Sequence, residues 1–267
     1  VQVESAEVLD FDALLGEVHL AEELGIDGVW VFPATDAGGE WSEAAVPIWL
    51  SALANRTERI RLGWGVSGIF SPTLPPIRIA EQSAAIDLAS RGRLDLVFVP
   101  EGPIEDAEIG PWDEGVRMLV EMWDQPAFSW TSNRFNVMPV DVLPKPAQRP
   151  HPPLWLAGWS LEQARQAGKA GMAFLDISGG TEDALLSHRK AYLEARAEVD
   201  PEDLVSMGVV AIAIEADPAG DDGAALNRWE SLGFDEVILR TRPAFGGRLE
   251  AEQRIRFLAN RDASTGD

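Results

Sequence analysis

The sequence contains no cysteine, one tyrosine and only three lysines among its 267 residues. The absence of cysteine excludes disulfide bonds, thiolate catalysis, iron–sulfur clusters and cysteine-ligated zinc. No apolar run reaches the length of about 18 residues that a transmembrane helix needs. The first ten residues also lack the basic and then apolar pattern of a signal peptide. We therefore expect no membrane span, and a cytoplasmic location is the simplest expectation.

Positive charge is scarce throughout the chain. Lys and Arg total 22 against 44 Asp and Glu, which gives a formal net charge of −22. This balance argues against a nucleic-acid partner and against an anionic membrane surface, because both require clustered cations. A hydrophobic fraction of 46% with 25% charged residues is instead typical of a globular chain with a sizeable core.

Strand and helix patterns alternate from one end of the chain to the other. The strand patterns cover residues 1–5, 28–32, 59–66, 94–99, 154–157, 173–177, 206–214 and 236–240. A helical pattern follows each strand, the last at 248–260, and 130–142 is irregular with room for a short hairpin. We therefore predict an α/β fold, a (β/α)8 TIM-type barrel over 1–260, with a polar tail at 261–267. A doubly wound open sheet is the alternative, although no G-x-G-x-x-G follows the first strand.

Four segments of the chain match a known pattern. They are AEELGIDGVWV at 21–31, LANRTERIRLG at 53–63, the stretch 78–96 with RIAEQ and SRGRLDL, and LPKPAQRPHPPLWLAG at 143–158. In this order and at this spacing they resemble the bacterial luciferase-like family of flavin-dependent oxidoreductases and monooxygenases. The resemblance covers nearly the whole chain, which is similar to a divergent member with shortened loops.

The resemblance implies a fold, a cofactor and partners. Members of the family are (β/α)8 barrels that bind reduced FMN, or a deazaflavin in some branches, at the carboxyl ends of the strands. Many are monooxygenases acting on small organic substrates, and dimers are common. We therefore expect a flavin- or deazaflavin-dependent oxidoreductase, a homo- or heterodimer, and a flavin reductase as a possible partner. The flavin itself carries the redox chemistry, so no metal site or catalytic triad is required.

Two loops at the carboxyl ends of predicted strands are candidates for binding the cofactor phosphate. They consist of Gly158, Trp159 and Ser160 after the fifth strand, and of Ser178, Gly179, Gly180 and Thr181 after the sixth. Small residues at a helix N-terminus offer backbone N–H groups and hydroxyls to a phosphate. The same residues are equally typical of helix caps, Ser160 with Gln163 in a capping box and Thr181 at an N-cap.

The third predicted strand is the candidate for backing the flavin ring. The resemblance implies that its backbone lies against the ring, which selects Trp64, Gly65 and Val66 as cofactor-binding residues. Trp64 and Val66 alternate with glycine, so one side of the strand is expected to face the barrel interior. Packing in the barrel core explains the same pattern without a cofactor.

The chain departs from the family pattern at several candidate positions. Residues 32–38 contain no histidine, and acidic residues follow the fourth strand where the family commonly has an arginine for the phosphate. The candidate catalytic acids are Asp36, Glu101 and Asp176, and Glu4 is a further acid expected near the barrel mouth. The three histidines, at positions 19, 151 and 188, are expected to be structural.

These departures leave two alternatives open. One is a non-catalytic or cofactor-poor barrel that acts as a partner subunit or binding protein, because a fold does not fix a function. The other is a barrel enzyme that uses two carboxylates for hydrolysis or isomerisation. The identity of the substrate and the choice between FMN and a deazaflavin cannot be derived from the sequence.

Overall fold

The computed structural model describes residues 2–4, 11–32, 42–67, 74–100, 110–200, 208–215 and 222–241. A strand or a helix occupies most of each of these ranges. Within them, no helix combines the length and the apolar character that crossing a membrane requires.

Parallel strands form the central sheet and follow one another in chain order. The strands are β1 (Gln2–Glu4), β2 (Gly28–Phe32), β3 (Arg61–Ser67), β4 (Leu94–Val99), β5 (Phe128–Thr131), β6 (Asn136–Val140), β7 (Leu154–Gly158), β8 (Ala173–Asp176), β9 (Val210–Glu215) and β10 (Glu236–Thr241). All except β5 and β6 belong to the central sheet, where β1 pairs with β2 on one side and β10 on the other. This pairing closes the strands into a ring, and β5 and β6 form a separate antiparallel hairpin.

Helices alternate with the strands of the central sheet. They are α1 (Phe11–Glu23), α2 (Ser42–Ala54), α3 (Pro76–Ala89), α4 (Gly110–Asp124), α5 (Leu161–Lys169), α6 (Glu182–Arg196) and α7 (Asp222–Ser231). Pro76 begins α3, where its fixed φ and missing N–H suit the first helical position. Gly25, with a φ of +82°, supplies the left-handed turn that ends the α1 segment.

The predicted alternation of parallel strands and helices is confirmed. The doubly wound alternative is wrong, because its strand order reverses at a switch point, whereas here the strands follow in sequence. The hairpin expected within 130–142 is present as β5 and β6. The helix predicted at 248–260 and the tail at 261–267 lie outside the described residues, so the extent of the domain stays a prediction.

Side chains of the central strands separate into an inner and an outer layer. The inner layer holds residues such as Trp30, Phe32, Trp155 and Leu175, and the Trp30 and Trp155 rings meet edge to face at 5.1 Å. The outer layer joins the opposite faces of the strands to the helices. Alternation along each strand therefore fixes which residues face the interior and which face the helices.

Candidate functional site

The segments that carry the family resemblance meet at the amino ends of the strands. Glu22, from the first segment, accepts backbone hydrogen bonds from Glu58, Arg59 and Ile60 of the second through its Oε1 at 2.5–2.9 Å. Burial pushes the pKa of the Glu22 carboxyl upward, but these bonds hold it below its usual value. They also explain why β3 begins at Arg61 and not at residue 59, as the sequence pattern had predicted, because both preceding N–H groups bond the carboxylate.

Arg93, from the third segment, joins the same loop to the end of α3. Its Nη1 donates to Thr57 Oγ1 at 2.9 Å and Ile60 O at 2.6 Å, and its Nη2 donates to Ala54 O and Thr57 O at 2.9 Å. Its Nε donates to Ser90 O at 2.7 Å. One guanidinium therefore satisfies acceptors from the end of α2, the loop before β3 and the end of α3.

The fourth segment is attached to the third by a buried carboxylate. Asp87 is fully buried in α3, and it accepts from the backbone N of Gln148 at 2.8 Å and from Gln148 Nε2 at 2.7 Å. The same Nε2 also donates to Leu94 O at 2.7 Å. The residues that resemble the family thus stabilise the amino end of the sheet, opposite the end where barrel enzymes place their chemistry.

An ion pair between the buried Asp95 and the half-buried Arg61 occupies the amino end of the inner layer. Arg61 Nε donates to Asp95 Oδ2 at 2.7 Å, and Trp155 Nε1 donates to Asp95 Oδ1 at 3.4 Å. Burial raises the pKa of the Asp95 carboxyl, although Arg61 partly offsets that effect. Desolvation, followed by the Asp95 carboxylate, raises the pKa of the Glu236 carboxyl to about 7. Because this end of a barrel serves stability, we assign the cluster a structural role.

The carboxyl ends of the strands form an apolar floor. Phe32, Val99, Ala157 and Ile177 supply it, and each belongs to the inner layer or packs against it. Trp30, Trp155 and Leu175 fill the interior beneath this floor. Together, these described residues form an apolar surface at the end of the sheet where a ligand would bind.

Ser67 is the polar exception at this floor. It ends β3, pairs in register with Val99 and is only 6% exposed. Its Oγ has no hydrogen-bond partner among the residues that the structure describes. A buried hydroxyl without a partner costs about 1–3 kcal/mol, so it marks a position where a ligand can supply the missing bond.

The alternation of β3 shows that Ser67 points inward. A Cβ on Gly63 would lie 2.7 Å from the Trp30 ring, and a Cβ on Gly65 would lie 2.5 Å from the Phe32 ring. These two glycines therefore face the inner layer and make room for the two rings. Ser67 follows Gly65 by two residues, so its side chain points to the same side.

The same alternation shows where the side chains of the ring-backing candidates lie. The side chains of Trp64 and Val66 are 1% exposed and pack in the outer layer against the helices. The Phe32 ring covers the inward face of Gly65. One side of the strand does face the interior, as expected, and it is the side of the glycines. A backbone contact to a ring stays a prediction.

The loop after β7 is organised as a helix cap. Ser160 Oγ accepts from the backbone N of Gln163 at 3.3 Å, and Gln163 Oε1 accepts from the backbone N of Trp159 at 2.7 Å. Ser160 Oγ also lies 3.1 Å from Gln163 Oε1 and donates to it. A Cβ on Gly158 would lie 2.8 Å from Gln163, so this glycine lets the cap close. The cap predicted at Ser160 is confirmed, and the phosphate contact stays a prediction.

The loop after β8 is also bonded within itself. Ser178 Oγ accepts from the backbone N of Gly180 at 3.2 Å, and Thr181 Oγ1 accepts from the backbone N of Ala184 at 3.4 Å. Gly179 has a φ of +60° with no atom near the position of a Cβ. The cap predicted at Thr181 is therefore confirmed. Ser160 thus uses its O–H within its loop, whereas Ser178 and Thr181 only accept, so their O–H groups and the backbone N–H groups are the donors for a phosphate. In the loop after β7, Gln163 Nε2 is a further buried donor, with no partner among the described residues.

Asp176, one of the candidate catalytic acids, does not face the apolar floor. It is fully buried and turned toward α6, where its Oδ2 lies 2.7 Å from His188 Nδ1. Its Oδ1 accepts from the backbone N of Ser178 at 2.9 Å. Asp176 does lie at the carboxyl end of β8, but its carboxylate faces α6 because the preceding residue, Leu175, takes the inward position. In this orientation Asp176 holds the loop after β8. A catalytic role for Asp176 stays a prediction.

The side chains of the other predicted acids are not among the parts of the chain that the structure describes. Asp36 and Glu101 lie outside the described residues, and Glu4 is described only through the backbone of β1. All three histidines bond scaffold groups: His19 bonds Arg56 O, His151 bonds Pro152 O, and His188 bonds Asp176. Burial lowers the pKa of the His151 ring. The sequence analysis missed Ser67, although the glycine alternation before it gave a signal.

Comparison with solved structures supports the architecture. A monooxygenase from Streptomyces bottropensis superposes with a TM-score of 0.76 at 19% identity, covering 96% of this chain and 94% of that one. An F420-dependent secondary alcohol dehydrogenase superposes with a TM-score of 0.75 at 15% identity, covering 100% and 99%. At these identities the likeness shows the fold alone.

Two kinds of oxidoreductase are among the curated relatives. An F420-dependent glucose-6-phosphate dehydrogenase from Amycolatopsis mediterranei is 29% identical over 60% of this chain and 51% of its own length. The oxygenase component of a flavin-dependent trigonelline monooxygenase from Acinetobacter baylyi is 24% identical over 55% of this chain and 43% of its own. The chain thus spans about half the length of the curated relatives that it matches.

A family model confirms the resemblance noted in the sequence. The model described as luciferase-like monooxygenase matches residues 2–229. This range contains the scaffold at the amino ends of the strands, Ser67 and both capped loops. The chain therefore belongs to the luciferase-like monooxygenase family.

Proposed function

We propose that the protein is a luciferase-like oxidoreductase that binds a reduced flavin or deazaflavin ring at the carboxyl ends of its strands. Its substrate would be a small organic molecule, and its default reaction would be monooxygenation. The observation that carries this proposal is the apolar floor of Phe32, Val99, Ala157 and Ile177, found in a member of this family. We also propose that the fold is a complete (β/α)8 barrel, with the pattern at 248–260 as its last helix.

The described residues offer apolar surface to the ring of the cofactor and hydrogen-bond donors to its phosphate. Phe32 and Ile177 offer apolar surface to a planar ring, and Trp159, which is 37% exposed, lies in the loop beside them. Ser160, Ser178 and Thr181 use their hydroxyls within their own loops. Support for a phosphate would come from the backbone N–H groups of these loops, from the O–H groups of Ser178 and Thr181, and from Gln163 Nε2.

A bound reduced flavin or deazaflavin would supply the electrons for the reaction. The chain itself would bind and orient the ring and keep water from it. Phe32, Val99 and Ile177 would exclude water beneath the ring, which strengthens polar interactions above it. The buried pair Asp176 and His188 would hold the loop after β8 in place through the bond from Ser178 N. The backbone of Ser178 thus connects the buried Asp176–His188 pair to the loop at the candidate site.

A fluorescence titration of the purified chain tests the proposal. FMN, reduced FMN under anaerobic conditions and a deazaflavin are each added while tryptophan emission is followed, because Trp30 and Trp155 lie beneath the floor. We expect saturable quenching at micromolar concentration by one of them. If only the deazaflavin quenches the emission, the monooxygenase part of the proposal is replaced by a dehydrogenase.

A pair of matched variants locates the site. Ile177→Glu places a charge on the apolar floor and should weaken binding at least tenfold, since an unpaired charge there is desolvated by the ring. Ile48→Glu makes the same change on α2, where Ile48 is 71% exposed, and should leave binding unchanged. Equal effects of the two changes would place the ligand elsewhere, and no quenching by any cofactor would reject the proposal.

The non-catalytic alternative has one supporting observation, which is the use of the loop hydroxyls as caps. We propose the enzyme as the first candidate because an engaged hydroxyl does not block a backbone N–H group. If no cofactor binds, co-purification with a second luciferase-like chain would favour the partner role. For the enzyme, we further propose a flavin reductase as the source of reduced cofactor and a dimer as the assembly.

A further inference from the structure

We infer that His188 is a positioning residue, which acts through Asp176 and the backbone of Ser178 on the direction of the hydrogen-bond donors in the loop of residues 178–181. The inference rests on the proposed function, because it names a residue outside the site on which binding of the anionic part of the cofactor depends. It follows from a continuous series of hydrogen bonds and from the open space around the loop.

The Asp176–His188 pair is buried between β8 and α6. The Asp176 side chain is 1% exposed and the His188 side chain 11%, and Asp176 Oδ2 lies 2.7 Å from His188 Nδ1. An ionised carboxylate only accepts hydrogen bonds, so Nδ1 carries the proton in this one. Since water has little access to a carboxylate buried in this way, the N–H group of His188 fixes the rotation of the Asp176 carboxyl group.

The other oxygen of the same carboxylate contacts the loop. Asp176 Oδ1 accepts from the backbone N of Ser178 at 2.9 Å, and Ser178 Oγ accepts from the backbone N of Gly180 at 3.2 Å. The two oxygens of a carboxyl group turn together, so the bond to His188 also sets where Oδ1 faces Ser178. A series of three hydrogen bonds therefore runs from α6 into the middle of the loop.

Packing restrains the two glycines of this loop little. Gly179 has a φ of +60°, and a Cβ at its position would meet no atom of the described residues within 4 Å. The atom nearest a Cβ on Gly180 would be Ser178 Oγ, which belongs to the series itself. Glycine also has more backbone freedom than any other residue. The hydrogen bonds are therefore the main restraint on where the N–H and O–H groups of the loop point.

These groups are the donors that a phosphate would use. They are the O–H groups of Ser178 and Thr181, which only accept within the loop, and the backbone N–H groups at the start of α6. Hydrogen bonds weaken steeply when the donor turns away from the acceptor. The ring of the cofactor would lie on the apolar floor, on the inner side of the strands. We therefore expect His188 to affect a ligand with a phosphate far more than one without it.

Amide hydrogen exchange of the ligand-free full chain, measured by NMR, tests the series itself. His188→Leu removes the donor and should raise the exchange rates of Ser178 and Gly180 by about tenfold, the value of one hydrogen bond. His188→Asn should restore most of the protection, because its side-chain N–H occupies about the place of the Nδ1–H group. Tyr192→Phe is the matched control one turn along the same face of α6, where it removes the buried bond from Tyr192 Oη to Met172 O. It should lower the melting temperature but leave both exchange rates unchanged.

Riboflavin and FMN then separate the ring from the phosphate, with tryptophan quenching as the readout. His188→Leu should weaken FMN binding by about threefold to tenfold and riboflavin binding by less than about twofold. His188→Asn should bind both ligands like the parent protein. Tyr192→Phe should do the same despite its lower melting temperature, which separates positioning of the loop from a general loss of stability.

The unpaired Asp176 carboxylate is a further variable in His188→Leu. If it prevents this variant from folding, the double variant Asp176→Asn/His188→Leu takes its place with the same expectations, because it removes the buried charge as well.

Three results would overturn the inference. The first is an unchanged exchange rate of Ser178 and Gly180 without the imidazole, and the second is a His188→Asn variant that restores none of the protection. The third is an equal loss of affinity for FMN and riboflavin. If the parent protein binds neither of these ligands nor a deazaflavin, the proposed function fails, and the exchange rates alone then decide whether His188 positions the loop.

Discussion

Replacing Arg93 by alanine should destabilise the protein more than any ordinary surface change. The guanidinium donates to five acceptors at 2.6–2.9 Å, on Ala54, Thr57, Ile60 and Ser90. Thr57 and Ile60 are buried, so water does not readily replace the lost donors. Single bonds from a charged donor contribute about 1.5–3 kcal/mol, but neighbouring bonds are not additive. We therefore expect a loss of about 3–5 kcal/mol, which is at the upper end for one substitution.

Thermal and urea unfolding measure this loss. For a chain of this size, 1 kcal/mol corresponds to about 2–4 °C, so Arg93→Ala should lower the melting temperature by about 6–20 °C. The melting temperature of Arg93→Lys should lie between those of Arg93→Ala and the parent protein, because one ammonium cannot replace all the bonds of a planar guanidinium. Arg165→Ala is the control. Arg165 is half exposed, and its Nη1 lies as far as 3.7 Å from Glu162 Oε2, so its loss should lower the free energy of unfolding by less than about 0.5 kcal/mol. A loss in Arg93→Ala no larger than in this control would refute the reasoning.

Three further changes test other parts of the structure. Gly65→Ala should cost about 1–3 kcal/mol, because the added Cβ would lie 2.5 Å from the Phe32 ring; an unchanged urea midpoint would contradict the inward placement of Gly65. Ser160→Ala should cost about 1 kcal/mol through the lost cap, and Ser160→Asp should recover most of it in the same melt. The pKa of the Glu236 carboxyl is about 7 in the folded protein, above its usual 4.5, so the folded state binds this proton more tightly than the unfolded state does. The free energy of unfolding should therefore fall as pH rises from about 4.5 to 7. The Glu236 carboxyl is desolvated beside Asp95, but the residue still reaches solvent, which screens the effect. Glu236→Gln should therefore raise stability by only about 1 kcal/mol at pH 8 and less at pH 5, and a gain independent of pH would reject this account.

The order of elements could be predicted because it depends on local patterns. The short apolar run at β2 and the helical spacing after it are visible in the sequence itself. The caps at Ser160 and Thr181 were predictable for the same reason, since a cap and its partner lie three residues apart. The hairpin of β5 and β6 likewise depends on residues that are close in sequence.

The facing of β3 could not be predicted in this way. Alternation shows that Trp64 and Val66 share one side while Gly63 and Gly65 share the other, but not which side is the interior. The rings of Trp30 and Phe32 on the neighbouring strand decide it, because only glycine leaves room for them. Asp176 is a similar case, since its partner His188 lies twelve residues away on α6. In both cases a contact between elements, which the local pattern does not show, sets the direction of a side chain.

The scaffold that carries the family resemblance is separated from the candidate site along the length of β3. Arg93 bonds Ile60 O at the amino end, and Ser67 lies seven residues further along, which corresponds to about 23 Å of strand. Sites this far apart with no shared partner are expected to act independently. In the Arg93→Ala/Ser67→Ala double variant, the free energies of unfolding should therefore add within about 0.5 kcal/mol. A cycle of urea unfolding on the four proteins measures this, and a larger coupling would mean that the amino-end network sets the geometry of the site. Additivity would instead leave the carboxyl end free to change its ligand while the scaffold that defines the family stays the same.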